Sequence, residues 1–131
     1  MRILIVEDDD DIANMYSLKC EMTGIGVRRG QNGLEALAIL QDYLPDAVLL
    51  DMQMPEMNGE EFLKEFRSLP QYINTPVLIL TNMGENEIPA SVYTYNIIGV
   101  IIKANCTPAE VIEMVKRAIA GNSTTVVEPE A

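Results

Sequence analysis

Four short apolar runs constrain the fold of this chain more than any other feature: "ILIV" (Ile3 to Val6), "AVLL" (Ala47 to Leu50), "VLIL" (Val77 to Leu80) and "VII" (Val100 to Ile102). They are rich in β-branched residues, and none alternates apolar with polar. A strand with one face in water alternates, so these runs predict strands covered on both faces, as in a parallel sheet. A fifth run, "VRRG" (Val27 to Gly30), carries arginines where the others carry aliphatics. It is predicted to be an edge strand.

Helical patterns with recognisable starts lie between the runs. Asn32 precedes Glu35 by three residues, and Asn58 precedes Glu61 in the same way. "TPAEVIEMVKRAIAG" has Thr107 as N-cap, Pro108 at the first helical position, Glu110 to complete a capping box and Gly121 as the stop. Val111, Val115, Ala118 and Ile119 are expected on the buried face of that helix, and Ile12, Met15, Tyr16 and Met22 on that of the first. "ENEIPASVYTYN" (Glu85 to Asn96) reads as a short fourth helix, weakened by Pro89 and by a Val-Tyr-Thr-Tyr run of poor helix propensity. Strand and helix alternate five times. This predicts an α/β fold: a doubly wound, five-stranded parallel sheet with right-handed crossovers and helices on both faces.

The chain has 131 residues, 48% of them apolar, which suffices for one domain with a full core. No stretch approaches the ~20 apolar residues of a membrane span. The start, "MRILIVEDDDD", offers only four apolar residues before a run of acids, too few for a signal peptide. A cytoplasmic protein is expected, with Cys20 and Cys106 as reduced thiols. The absence of histidine argues against a structural zinc site. The net charge of -11, from 20 acids against 9 bases, repels nucleic acid, and no basic stripe offsets it. Neither nucleic acid nor a membrane is expected as a direct partner. Residues 121–131, "GNSTTVVEPEA", read as a polar tail after a folded unit spanning 1–120.

The ends of the strands carry the chemistry. Glu7 and Asp8 follow the first run, Asp51 the second, Thr81 the third and Lys103 the fourth. In an open parallel sheet the ligand site lies outside the carboxyl ends of the strands. Three carboxylates, a hydroxyl and an ammonium therefore converge on one edge. Asp51 alone could be a helix cap or a solvated loop acid; the other strand ends argue for a shared pocket. Three carboxylates a few ångströms apart repel by roughly 4 kcal/mol per pair at an effective dielectric near 20. They need a divalent cation or protons, and hard oxygen ligands favour Mg2+. Lys103 can meet a phosphoryl oxygen, and Thr81 can donate to another. A carboxylate in such company is equipped as an in-line nucleophile toward phosphorus. Asp9 to Asp11 read as a charge cluster at a helix N-terminus. Met52, Met54 and Met57 read as loop packing rather than a soft-metal site, and Cys106 as a bystander thiol.

The residues "RILIVEDD", "PDAVLLDMQMPEMNGEEFL", "VLILT" and "GVIIK" resemble the receiver domain of two-component response regulators, from Arg2 to about Ala120. The resemblance implies the flavodoxin-like strand order 2-1-3-4-5. It implies Asp51 as phosphoacceptor, and Asp8, Asp51 and the backbone carbonyl of Gln53 as Mg2+ ligands, with Glu7 acting through water. It implies that Thr81 and Lys103 contact the phosphoryl group, and that the partners are a histidine kinase or histidine phosphotransfer protein and a downstream protein target. Three positions depart from the family pattern. Asn82 stands where a small residue is usual, Val100 where Tyr or Phe is usual, and Ala104 where a cis proline is usual. A non-proline cis bond costs about 2.5–4 kcal/mol, so the bond after Lys103 is expected to be trans.

Two other functions fit parts of the pattern. A Mg2+-dependent phosphohydrolase with an aspartyl nucleophile resembles D-x-D, its second acid serving as general acid. Gln53 occupies that position and argues against it. A degenerate receiver acting only in protein interaction is disfavoured by the intact Asp8, Asp51 and Lys103.

Overall fold

Burial along the strands follows the apolar runs closely. The computed structural model describes residues 1–82 and 87–121. Strands β1 (Arg2–Val6), β2 (Gly26–Gly30), β3 (Ala47–Leu50), β4 (Val77–Thr81) and β5 (Gly99–Ile102) form one parallel sheet in the order β2-β1-β3-β4-β5. The doubly wound, five-stranded arrangement and its order are as expected. The strand with the arginines is at the edge, where its residues from Gly26 to Arg29 are exposed or half-buried. Every residue of β3 and β4 is buried.

Successive side chains in a strand point to opposite faces, and here each face meets its own helices. Leu4, Val6, Val48, Leu50, Val77, Ile79 and Val100 face helices α2 (Gly33–Ile39) and α3 (Gly59–Ser68) and the 3-10 segment Ala90–Tyr95. Ile3, Ile5, Ala47, Leu49, Leu78, Leu80 and Ile101 face α1 (Asp10–Met22) and α4 (Pro108–Ile119). On the first face Phe62, Phe66 and Tyr72 form a stacked row, with ring centroids 5.4 and 4.7 Å apart. Each buried ring contributes on the order of 2–3 kcal/mol by burial alone. No described helix is long and apolar enough to cross a membrane.

The capping residues act as the sequence predicts. Asn58 with Glu61 and Thr107 with Glu110 form complete capping boxes. Asn32 accepts from the Glu35 amide, while the Glu35 side chain reaches one residue further back, to the Gln31 amide. Asp9 caps α1 and Asp10 and Asp11 occupy its first turn, complementing the helix dipole. Gly121, at φ 78°, takes the left-handed conformation that ends α4.

Four expectations need correction or limits. The buried face of α1 is Ala13, Tyr16 and Cys20, whereas Met15 and Met22 are exposed. Met15 and Tyr16 are adjacent, so at 100° per residue they cannot both point at the sheet, and small residues allow the closer approach. In α4 the buried set is Val111, Ile112, Met114 and Val115, with Ala118 and Ile119 half-buried. The fourth helix is a 3-10 segment, Ala90–Tyr95, because Pro89 precedes it and its β-branched and aromatic residues favour helix poorly. Arg67 holds its end: Nε donates to the carbonyl of Tyr95 (2.8 Å), Nη2 to that of Asn96 (3.2 Å) and Nη1 to that of Tyr72 (2.5 Å). Glu85 and Asn86, included in the expected helix, and residues 122–131 of the expected tail lie outside the described residues. The described peptide bonds are all trans, including the one between Lys103 and Ala104.

Candidate functional site

The three central strands end in polar residues at one edge of the sheet. Register determines this: Val6 pairs with Leu50, Leu50 with Ile79 and Thr81 with Ile102, so the next residues emerge side by side. Glu7, Asp51 and Thr81 are the buried polar residues of the described chain, at 2%, 5% and 0% exposure. Asp8, one residue beyond Glu7, is exposed at the rim. Carboxylate oxygens of Glu7, Asp8 and Asp51 all lie within 4.8 Å of one another. Lys103, first residue of a 3-10 turn after β5, donates from Nζ to Glu7 Oε1 at 2.5 Å and stands 3.6 Å from Asp51 Oδ1. Gln53 is exposed, and its amide points at Asp51 Oδ1 from 3.4 Å. All six residues singled out from the sequence thus belong to one edge, five of them at strand ends.

Electrostatics at the site is dominated by burial. Asp51 is pushed up from 3.8 to about 7, first by desolvation and then by the charge of Glu7, with Lys103 opposing both. Lys103 therefore does not neutralise the cluster. Its closer partner is Glu7, whose other oxygen accepts from the Asp9 amide at 3.2 Å. Both Glu7 oxygens are engaged by the protein. The Asp8 carboxylate has no hydrogen-bond partner among the described residues. Three hard oxygen donors, short of positive charge and without histidine or cysteine, fit a divalent cation of the Mg2+ type.

The loop after Asp51 is built around two backbone features. A Cβ on Gly59 would meet the Asp51 carbonyl oxygen at 2.7 Å and Met52 Cα at 2.8 Å. Only glycine lets α3 begin this close to the acid. Glu56 has φ 67°, and the Met57 amide donates to the Pro55 carbonyl at 2.7 Å across it. A non-glycine residue in the left-handed region is uncommon, and no motif in the sequence marked it. Met52 is buried, Met57 lies against Gly33, and both pack with Met54 into the core.

In the sequence Arg28 and Arg29 look alike, both markers of an edge strand. Arg28 is indeed solvated, 3.8 Å from Asp42 and over the Tyr43 ring. Arg29 instead crosses to β1, where Nε donates to the Glu7 carbonyl at 2.9 Å and Nη1 pairs with Asp10 at 2.8 Å. The one available signal was an arginine inside a strand predicted to neighbour the acid-bearing one.

Comparison with known proteins decides the family. A family model described as the response regulator receiver domain matches residues 3–116. The chain belongs to this family. The receiver is 31% identical to the Vibrio cholerae chemotaxis protein CheY4, whose structure superposes with a TM-score of 0.82 over 89% of this chain and 97% of that one. A putative response regulator from Chloroflexus aurantiacus gives 0.82 at 32% identity, over 91% and 97%. The regulatory protein AtoC of Escherichia coli is 42% identical over 86 residues, 66% of the receiver and 18% of that protein. The CpxR homolog of Haemophilus influenzae is 41% identical over 85 residues, 65% and 36%. The chain therefore spans about a third or less of the length of these curated relatives. Its part in two-component signalling is that of the receiver.

Proposed function

We propose that Asp51 accepts a phosphoryl group from a phosphohistidine, carried by a histidine kinase or a histidine phosphotransfer protein, and that the phosphorylated receiver changes its binding to a downstream protein. The observation that carries this reading is the buried Asp51 carboxyl, raised to about 7 within a three-carboxylate cluster beside Lys103. Asp8, Asp51 and the Gln53 carbonyl would hold Mg2+. Glu7 would act through water, as suits a carboxylate whose two oxygens already accept hydrogen bonds. When bound, Mg2+ offsets the carboxylate charge and that of an incoming phosphoryl oxygen.

The remaining work falls to the chain's own groups. An ionised Asp51 oxygen attacks phosphorus in line, the P–N bond of the donor breaks, and the imidazole leaves with the bonding pair. Lys103, 3.6 Å from the nucleophile, shifts from Glu7 toward a phosphoryl oxygen. The Thr81 hydroxyl donates to another. Gln53 offers no acid to protonate a leaving group, so the site favours holding the aspartyl phosphate over turnover. A cytoplasmic location belongs to the same proposal, because an ATP-fed kinase must supply the donor.

Incubation with acetyl phosphate and Mg2+, followed by intact mass measurement, tests the reading. One added phosphoryl unit is expected, lost in chelator and lost in Asp51→Asn. Equal labelling in chelator would refute the metal's part, and labelling of Asp51→Asn would refute the nucleophile.

A further inference from the structure

We propose that Arg29 is a positioning residue for the divalent cation: by clamping the turn between β1 and α1 it fixes the backbone that presents Asp8. The proposal rests on the reading of Glu7, Asp8 and Asp51 as a cation site. Arg29 sits on edge strand β2, opposite Ile5 in the register, two residues before Glu7. Its neighbour Arg28 is exposed and loosely paired, as an edge residue is. Arg29 is 19% exposed, and its Nη2 is buried with no hydrogen-bond partner among the described residues. A guanidinium with one donor unmet is not placed there to improve the strand, since an unsatisfied buried donor opposes folding.

What the guanidinium does hold is specific. Nε donates to the Glu7 carbonyl at 2.9 Å, and Nη1 pairs with Asp10 at 2.8 Å. Glu7 C=O and Asp8 N–H share one peptide plane, so fixing the carbonyl fixes the amide from which Asp8 departs. The bond to Asp10 anchors the other side of the turn, at the first residue of α1. Between these two anchors stands Asp8, exposed and with no hydrogen-bond partner for its carboxylate among the described residues. Glu7 is held by Lys103 and the Asp9 amide, and Asp51 by burial and the Gln53 amide. Asp8 alone among the three acids depends on the turn backbone for its place. The turn in turn depends on Arg29.

Positioning and simple electrostatics predict opposite results. Arg29 is a cation near a cation site, so through its charge alone its removal would tighten metal binding. As a clamp, its removal weakens it. Arg29→Lys separates the two, because it retains the charge but not the divergent donors that reach a carbonyl and a carboxylate together. The experiment is Mn2+ binding to the full chain, read from the free-ion signal in electron paramagnetic resonance, for wild type, Arg29→Lys and Arg29→Ala. Amide hydrogen exchange of the metal-free proteins is measured alongside. Loss of a group that supports a metal ligand typically weakens binding 10- to 100-fold. Both variants are expected to bind Mn2+ about tenfold or more weakly, with faster exchange confined to the amides of Asp8 to Asp10. Arg29→Lys binding as tightly as wild type, or Arg29→Ala binding more tightly, would overturn the clamp while leaving the cation site intact. Faster exchange spread across β1 and β2 would overturn it too, showing a general strand role. A wild-type chain that fails to bind Mn2+ would instead overturn the cation site, and the clamp's purpose with it.

Discussion

Replacing Asp51 with asparagine is expected to stabilise the metal-free protein, and by an amount that depends on pH. The carboxyl rises from 3.8 in the unfolded chain to about 7 in the fold, because burial and the charge of Glu7 both disfavour its ionised form. Between those values the folded protein holds a proton that the unfolded chain does not, so the contribution of this group is fully present below about pH 4. It declines as pH rises and is lost above pH 7. At 1.36 kcal/mol per pH unit the full difference is about 4 kcal/mol. Asp8 opens the cluster to solvent, and screening there reduces the expected effect to about 2 kcal/mol. Asparagine has nearly the shape of the protonated acid and never ionises. Urea denaturation in chelator at pH 4, 5, 6, 7 and 8 should therefore show Asp51→Asn close to wild type at pH 4, increasingly more stable through pH 5 and 6, and about 2 kcal/mol more stable at pH 8. Mg2+ at about 100 times its dissociation constant adds about 2.7 kcal/mol to wild type and should remove the difference. A stability difference independent of pH, or an asparagine variant less stable at pH 8, would refute the reasoning.

Other parts of the structure yield sharper local tests. Gly59→Ala must push its Cβ against the Asp51 carbonyl and Met52 Cα, both backbone atoms, so it is expected to cost about 1–3 kcal/mol in denaturation and to slow phosphoryl labelling; wild-type behaviour in both would contradict the close approach. Arg67→Ala removes three donors from the carbonyls of Tyr72, Tyr95 and Asn96 and is expected to cost about 2 kcal/mol, with faster amide exchange across residues 90–96. Val100 is small, stiff at χ1 and 6% exposed, so it offers no ring to swing between buried and exposed states. Binding of the phosphoryl mimic beryllofluoride is therefore expected to act as an order–disorder switch, altering amide protection at Asn82 and across residues 87–96. Unchanged protection with the mimic bound would exclude that route.

How much of this was legible in the sequence depends on how local each cause is. Strands covered on both faces announce themselves as unbroken apolar runs, and Asn58, Thr107, Pro108 and Gly121 act through their own first or last helical turn. Juxtaposition of Glu7, Asp8, Asp51, Thr81 and Lys103 follows from strand direction alone, once the sheet is parallel. Causes that cross the fold were not legible. Met15 and Met22 mark the apolar stripe by size, yet Ala13 and Cys20 are buried because α1 lies close to its neighbours. Ala90–Tyr95 is a 3-10 segment, secured by Arg67 from another helix. The split between Arg28 and Arg29 depends on which neighbour each side chain reaches across the sheet edge, and nothing in "VRRG" records that.

The most direct test of the central claim is to find the phosphoryl group on its residue. The chain is incubated with acetyl phosphate and Mg2+, treated with borodeuteride, which reduces an acyl phosphate to the alcohol, and mapped by peptide mass spectrometry. A deuterated homoserine at position 51, absent when Mg2+ is chelated, is the predicted result. Reduction at Glu7 or Asp8, or no reduced product at position 51, would contradict it.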